Sequence, residues 1–434
     1  MTSTDVETEL REVLAEAEQR YVASNPRSHR RFLDACTVMP GGNTRTSLYY
    51  SPFPVTFASG EGQYLTDLDG HRYTDMLGEY SAGIYGHSDP TILAAVREAL
   101  DDGLSFGGPN RYEVELAGEI IERFPSVDLL RFTNSGTEAN LFAIGAARAA
   151  TGRSTVLAFE SGYHGGVLSF RGEAPLNAPY PFVVCDYNDV PGTLAAIEEH
   201  REDLAAVILE PMLGGGGAVP ASAAFAHAIR EATSRHGIVL IIDEVMTSRL
   251  APGGLQERLG VVPDMTTFGK YLGAGFSFGA FGGTRRLMEP FDPSVPGGLS
   301  HPGTFNNNTV TMAAGLAGLR DVLTPERVLE LNARGDWVRD RLNALFVEIG
   351  VAAQATGVGS ILGVHFQRTP IASGRDIDPA PDKRALLHLE LMLRGFYMAR
   401  RGYVALPLPI TDADAAAFVD AVRDVVGTHH HILR

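Results

Sequence analysis

The sequence predicts an α/β protein with a large domain built on a mostly parallel sheet and a small α+β domain formed from both chain ends. Short apolar runs that end in polar residues alternate with segments of helical periodicity, the pattern of a sheet covered by helices. The length of 434 residues exceeds the size at which one core usually stops growing. We predict an N-terminal segment at 1–75, partly in the small domain, a large domain at 76–325 and a C-terminal small domain at 326–434.

The N-terminal segment is expected to begin with two helices over residues 3–38, separated by a turn at Ser24–Pro26. Proline and paired glycines stop helices, so Met39–Gly42 should end the second one. Three short strands are predicted next, with a turn at residues 67–71 between the last two: Val55–Ala58, Gln63–Asp67 and Arg72–Asp75.

The large domain is expected to alternate strands and helices from about Met76. Apolar residues recur at helical spacing over Pro90–Asp102. Four strands are predicted from their apolar runs: Leu130–Asn134, Thr155–Phe159, Ala205–Glu210 and Ile238–Ile242. Helices should follow from about residue 308 to 347. Short strands and a terminal helix complete the small domain, with a mobile loop predicted at Gly374–Asp382.

Composition excludes several classes of function. Lys plus Arg is 36 and Asp plus Glu is 52, a net charge of −16, which argues against nucleic acid or an anionic membrane as partner. Two distant cysteines make neither a disulfide framework nor a metal cluster, and they fit a reducing cytoplasm. The acidic N-terminus has no signal-peptide pattern, and no stretch reaches the roughly 18 apolar residues of a membrane helix.

One stretch, residues 241–283, carries the chemistry. The branched run Ile238–Ile242 has no alternation, as in a strand buried on both faces, and it ends at Asp243, where ligands of parallel sheets bind. Lys270 lies among glycines on an apolar stretch, where desolvation would lower its pKa and make it a nucleophile. A carboxylate and such a lysine suit pyridoxal phosphate (PLP), whose ring nitrogen needs an acid and whose aldehyde needs an amine. Taken alone, each residue has a simpler explanation: a strand-end cap and a solvated lysine.

Taken together, Asp243-Glu-Val-Met, Pro263-Asp-Met-Thr-Thr-Phe-Gly-Lys270 and Gly279-Ala-Phe-Gly-Gly resemble the class III, fold type I PLP enzymes, in particular the glutamate-1-semialdehyde aminomutase-like branch. The resemblance implies a seven-stranded, mostly parallel sheet in the large domain and a homodimer with shared active sites. It also implies that Lys270 and Asp243 are the catalytic residues.

The same resemblance implies the other cofactor-binding residues. The phosphate would lie at a helix start formed by Ser135, Gly136 and Thr137, although a capping box alone would look the same. Tyr163 would stack on one face of the ring and Val245 would cover the other, with His164 and Glu210 as neighbours, although a strand-end glutamate is equally explained by solvation. Thr304 would reach the phosphate of the neighbouring subunit's cofactor.

Specificity is expected from a few segments that differ from the aminomutase pattern: Asn43–Ser47, Glu79–His87 and Leu406–Pro409. With Arg401 just ahead of the last one, these segments resemble transaminases for aromatic beta-amino acids. The resemblance implies that Arg45 binds the substrate carboxylate and that Arg401 binds the alpha-carboxylate of 2-oxoglutarate, then swings aside for an apolar side chain. Both arginines would otherwise be surface residues.

The leading hypothesis is thus a ping-pong transaminase that moves an amino group from a beta-phenylalanine-like amino acid to 2-oxoglutarate or pyruvate. An aminomutase-type isomerase, and a transaminase for another amine or alpha-amino acid, are the alternatives. A binding-only relative would lack the lysine or the aspartate, and both are present at 270 and 243.

Overall fold

The computed structural model describes residues 3–434. Its strands, in chain order, are β1 Phe57–Glu61, β2 Tyr64–Asp67, β3 Arg72–Asp75, β4 Leu129–Thr133, β5 Thr155–Phe159, β6 Phe182–Cys185, β7 Leu204–Leu209, β8 Met212–Leu213, β9 Val219–Pro220, β10 Val239–Asp243, β11 Met265–Gly269, β12 Gly279–Gly283, β13 Gln354–Val358, β14 Ile361–His365, β15 Phe396–Tyr397 and β16 Tyr403–Ala405.

The α-helices are α1 Ser3–Ser24, α2 Pro26–Cys36, α3 Pro90–Asp102, α4 Glu113–Arg123, α5 Gly136–Thr151, α6 Val190–His200, α7 Ala223–His236, α8 Leu255–Leu259, α9 Arg285–Met288, α10 Thr309–Ala317, α11 Pro325–Ile349, α12 Pro381–Met392, α13 Asp412–Thr428 and α14 His430–Leu433.

The central sheet has seven strands in the order β4-β12-β11-β10-β7-β5-β6. Only β12 runs antiparallel to its neighbours β11 and β4, whereas the other pairs are parallel. The strands β4, β5, β7, β10 and β11 therefore end at the same side of the sheet. The expected α/β fold with a mostly parallel seven-stranded sheet is confirmed.

The apolar runs form strands because both sheet faces are covered. In β7 and β10 every residue is buried. Alternate side chains point to opposite faces: Ala206, Ile208, Val239 and Ile241 pack with α5, whereas Val207, Leu209, Leu240 and Ile242 pack with α6 and α7. A sheet enclosed in this way presents polar groups to a ligand only at its strand ends.

The two chain ends build a second layer together. Strand β15 pairs in parallel with β3, which extends the β1-β2-β3 meander into a four-stranded sheet. Helix α1 packs against α12 and α14. A third, antiparallel sheet has the order β13-β14-β16. This layer brings the segments around Arg45 and Arg401 towards the strand ends of the central sheet.

Two predicted features differ from the structure. Strand β1 begins at Phe57, two residues later than predicted, because a buried Val55 precedes it in an irregular segment. Residues 76–128 hold two α-helices and no strand, so the alternation of strands and helices starts at β4 and not at Met76.

Within residues 3–434, no helix combines the length and apolar character needed to cross a membrane. The same residues contain no cluster of three or more His, Cys, Asp or Glu side chains placed to bind a metal ion.

Candidate active site

A cavity of about 1090 Å³ opens at the carboxyl ends of the central strands. Its lining includes ten of the twelve residues singled out from the sequence: Arg45, Ser135, Gly136, Thr137, Tyr163, His164, Glu210, Asp243, Val245 and Lys270. Thr304 and Arg401 do not line it. Each of β4, β5, β7, β10 and β11 ends at this cavity, which explains why residues far apart in sequence meet here.

Asp243, the last residue of β10, is held by three donors. Its Oδ2 accepts hydrogen bonds from Asn140 Nδ2 and pairs with His164 Nδ1, both at 2.8 Å, and its Oδ1 accepts from the backbone N–H of Val245 at 3.0 Å. Burial lowers the pKa of His164, but the hydrogen bond to Asp243 and the charges of Asp243 and Glu210 outweigh that effect, so the pKa is raised. The imidazole therefore favours its protonated form beside the carboxylate.

Lys270 follows β11 directly and begins a short 3₁₀ turn. Its backbone φ is +53°, in the left-handed region that a non-glycine residue adopts at a cost. Burial lowers the pKa of its amine, and the charge of Arg401 lowers it further against the opposing charges of Asp243 and Glu210. The neutral, nucleophilic form of the amine is thereby favoured.

The first turn of α5 lines the cavity with Ser135, Gly136 and Thr137, and the first backbone amides of a helix have no partner within the helix. Ser135 caps the helix by accepting from Glu138 N, and Glu138 Oε2 accepts from Asn134 N at 2.9 Å. A Cβ added at Gly136 would lie 2.8 Å from both methyl carbons of Val245, so only glycine lets the helix start approach the segment after β10 this closely. The arrangement is a ready anion site.

Tyr163 lies in the loop after β5, lines the cavity and is 44% exposed. Buried Glu210 fixes that loop: its Oε2 accepts from Tyr163 N at 2.8 Å and its Oε1 from Gly214 N at 3.1 Å. Burial, the largest effect, and the charge of Asp243 raise the pKa of Glu210 to about 7. Glu210 therefore lines the cavity and also anchors the backbone of the loop.

Two arginines flank the mouth of the cavity. Arg45 Nη2 forms an ion pair with Glu79 Oε1 at 2.6 Å. The guanidinium of Arg401 lies 5.2 Å from the ring centroids of both Tyr80 and Tyr403. The hydroxyl of Tyr80 donates to the carbonyl of Ser47 at 2.5 Å and thus joins the two segments that line the mouth.

Thr304 lies in an exposed segment outside the cavity of its own chain. The neighbouring Asn306 accepts a hydrogen bond from Asn134 Nδ2 at 3.0 Å, next to the start of α5. An intramolecular role for Thr304 at this chain's own cavity is therefore not supported by the geometry.

Sequence reasoning assigned no individual role to Asn140, Glu79 or Tyr80, although the last two belong to a segment expected to set specificity. Asn140 donates to Asp243 and to the His164 carbonyl, and accepts from Thr267 Oγ1 at 2.6 Å. The sequence could have indicated Asn140 through its position in α5, one helical turn after Gly136. The sequence of residues 79–87 indicated a specificity segment, but only the fold shows that Glu79 pairs with Arg45 and that Tyr80 lies beside Arg401.

The sequence model of the family "Aminotransferase class-III" matches residues 47–426. A relative, the beta-phenylalanine transaminase of Variovorax paradoxus, is 48% identical over 424 residues, which is 97% of this chain and 98% of the relative. The solved structure of a beta-phenylalanine aminotransferase from Variovorax paradoxus superposes with a TM-score of 0.96 over 98% of this chain and 99% of that one, at 48% identity. A transaminase solved with PLP bound is 33% identical, with a TM-score of 0.87, over 94% and 99% of the two chains.

The residues of the cavity fit PLP. The buried Asp243 carboxylate suits the ring nitrogen, and the Lys270 amine, whose pKa is lowered, suits the aldehyde. The exposed ring of Tyr163 suits one face of the cofactor ring, and the start of α5 beside Val245 suits the phosphate. When bound, PLP supplies an electron sink for the carbon that carries the amino group. The predicted family, enzyme class and cofactor are confirmed: the chain belongs to the class III aminotransferases and is a PLP-dependent aminotransferase.

Proposed function

We propose that the enzyme moves an amino group from an aromatic, beta-phenylalanine-like beta-amino acid to 2-oxoglutarate or pyruvate. The observation that carries the proposal is the position of Arg45, whose side chain lines the same cavity as Lys270 and Asp243. In a beta-amino acid the carboxylate lies one carbon further from the amine than in an alpha-amino acid. An arginine at the cavity mouth suits that longer reach, and its planar fork matches a carboxylate with two hydrogen bonds. The 48% identity to a beta-phenylalanine transaminase supports it.

We propose the following roles for the cavity residues, and their geometry supports these roles. Lys270 would hold the aldehyde end of the cofactor, and its Nζ would move the proton at the substrate carbon. Asp243 would hold the ring nitrogen in its protonated form, and His164 and Asn140 hold Asp243 in place. Tyr163 and Val245 would cover the two ring faces.

The start of α5 would hold the phosphate. Ser135, Gly136 and Thr137 line the cavity there, and the helix dipole favours an anion at this end. Glu210 acts by fixing the Tyr163 loop through two accepted backbone hydrogen bonds.

Arg401 binds the alpha-carboxylate of 2-oxoglutarate in the second half-reaction. Its guanidinium lies 5.2 Å from the ring centroids of both Tyr80 and Tyr403, which stack on each other. It forms no ion pair within residues 3–434, so it is free to pair with a substrate anion. The same aromatic surroundings suit an apolar substrate side chain once the long arginine side chain moves aside.

A donor panel with the purified holoenzyme tests the function. Beta-phenylalanine should bleach the visible absorbance of the bound cofactor, and only an added 2-oxo acid should restore it. An aminomutase would regain the absorbance without an external acceptor. If a diamine or a semialdehyde bleaches the cofactor while beta-phenylalanine does not, the proposal is wrong.

We also propose a homodimer in which Thr304 of each chain reaches the phosphate of the partner's cofactor. Support comes from its exposure outside the chain's own cavity. A cytoplasmic location stays a prediction, supported by two cysteines that form no disulfide.

Subunit mixing tests the shared site. Lys270→Ala and Thr304→Ala homodimers should both be impaired. In a mixed dimer, the chain that keeps Lys270 would receive an intact Thr304 from the other chain and regain cofactor affinity. Absence of any recovery after confirmed subunit exchange would show that Thr304 does not act across the interface.

A further inference from the structure

Arg45 is already neutralised by a side chain of its own molecule. Its Nη2 lies 2.6 Å from Glu79 Oε1, and both residues line the cavity. The two side chains are 47% and 52% exposed. Exposed ion pairs contribute little to folding stability, so the value of this pair as a structural element is small.

The backbone around Glu79 nevertheless fixes the carboxylate at this place. Glu79, Tyr80 and Ser81 all have positive φ, at 48°, 53° and 78°. The buried Arg249 donates to the Ser81 carbonyl at 3.3 Å, and Gly83 N donates to the Gly78 carbonyl at 2.9 Å. Non-glycine residues persist in this conformation only where their surroundings determine it.

The segment that carries Arg45 is bonded to the loop that carries Glu79. The hydroxyl of Tyr80 donates to Ser47 O, two residues after Arg45. The carboxylate of Glu79 and the guanidinium of Arg45 are thus held on two segments that are joined by a second, independent bond. A substrate carboxylate that reaches Arg45 meets an anion already in position.

We propose that Glu79 is a specificity-determining residue that competes with the substrate carboxylate for Arg45. The proposal rests on the proposed role of Arg45 in binding that carboxylate. A ligand with a carboxylate must displace Glu79 and come close to its negative charge, whereas a ligand without one leaves the ion pair intact. Glu79 therefore limits the affinity for donor and keto product alike, which favours product release.

The experiment separates charge from structure by using two ligands of the same shape. The carboxylate 3-phenylpropanoate lacks the amine and cannot react with the cofactor, and 3-phenylpropanamide is its neutral counterpart. Binding of both to the PLP-loaded holoenzyme is measured by calorimetry for wild type, Glu79→Gln and Glu79→Asp. Glu98→Gln is the matched control, because Glu98 forms a comparable exposed pair with Arg111 at 2.7 Å.

Glu79→Gln should tighten binding of 3-phenylpropanoate roughly two- to fivefold, the range expected for an exposed ion pair, and leave the amide unchanged. Glu79→Asp should stay close to wild type, and Glu98→Gln should not change either ligand. Equal changes for both ligands, or unchanged or weaker carboxylate binding in Glu79→Gln, would overturn the proposal. Failure of Arg45→Ala to weaken 3-phenylpropanoate would overturn it as well.

Turnover of beta-phenylalanine is measured in parallel and tests the proposed function on its own. If the wild-type enzyme binds 3-phenylpropanoate through Arg45 but does not transaminate beta-phenylalanine, the proposed transaminase function is wrong. The proposed competition between Glu79 and a carboxylate ligand for Arg45 would still stand. In the active case, Glu79→Gln should lower KM for beta-phenylalanine and not for an aromatic amine without a carboxylate.

Discussion

At the scale of single residues, the side chains of the site are fixed by hydrogen bonds within the chain. Asp243 has its orientation set by Asn140, His164 and the Val245 amide. Asp243 and Lys270 were predictable because their local context is distinctive. Asn140 was not, because it lies 103 residues from Asp243 and meets it only through the packing of α5 on β10.

Glu244, the residue after Asp243, gives a prediction about pH. It is fully buried, and burial, the largest effect, raises its pKa from 4.5 to about 7. The folded state therefore holds this proton more tightly than the unfolded chain. Its stabilising contribution is present below pH 4.5 and is lost as the pH rises towards 7.

Glu244→Gln should remove this dependence. Glutamine can accept from Gln256 N and donate to Thr247 Oγ1, as the protonated acid would. The variant should gain stability over wild type by about 1 to 3 kcal/mol at pH 8 and by little at pH 5. Thermal melting at both pH values measures it, with exposed Glu348→Gln as control. A constant difference across the two pH values would contradict the assigned titration.

At the scale of elements, strands β5, β7 and β10 and helix α3 lie within a residue of their predicted bounds, because continuous apolar runs and a proline start are strong local signals. The antiparallel direction of β12 had no such signal, since its glycine-rich sequence does not specify its partners. The mobility of residues 374–382 and the domain boundaries after 75 and 325 stay predictions.

The start of α5 offers a matched pair of substitutions. Gly136→Ala would place a methyl group 2.8 Å from the Val245 side chain, whereas Gly145→Ala in the same helix meets nothing within 4 Å. We expect Gly136→Ala to weaken PLP binding by shifting the helix start. Gly145→Ala should leave it unchanged and add about 0.5 to 1 kcal/mol of stability.

Equilibrium titration of PLP into the apoenzyme, combined with thermal melting, distinguishes the two variants. Equal PLP affinity in Gly136→Ala and wild type would show that the close approach of α5 to β10 is not needed for the phosphate site.

At the scale of the whole molecule, Arg249 joins the cavity wall to the layer built from the chain ends. It is completely buried and donates to Ser360 Oγ, to the Ser81 carbonyl and to the Leu406 carbonyl. Burial lowers its pKa to about 10, which still leaves it charged at neutral pH. No carboxylate within residues 3–434 forms an ion pair with Arg249, so these three oxygens are the groups that stabilise its buried charge.

Arg249→Met should therefore cost about 3 kcal/mol or more, because it leaves buried carbonyls without donors. Thermal melting measures the loss, and Arg341→Met on the exposed side of α11 should have little effect. A melting temperature equal to wild type would mean that water or rearrangement replaces the lost donors. The variant should also accept a wider range of substrates. Arg249 holds the Ser81 carbonyl, and Ser81 directly follows Glu79 and Tyr80 at the cavity mouth.

The left-handed backbone at Lys270 has one more consequence. Glycine adopts φ near +53° without strain, so Lys270→Gly should fold at least as well as Lys270→Ala despite losing the side chain. The space vacated in the cavity would admit a small soluble base. Ethylamine or methylamine added to that variant should then recover part of the proton shuttle, with a bell-shaped dependence on the size of the amine.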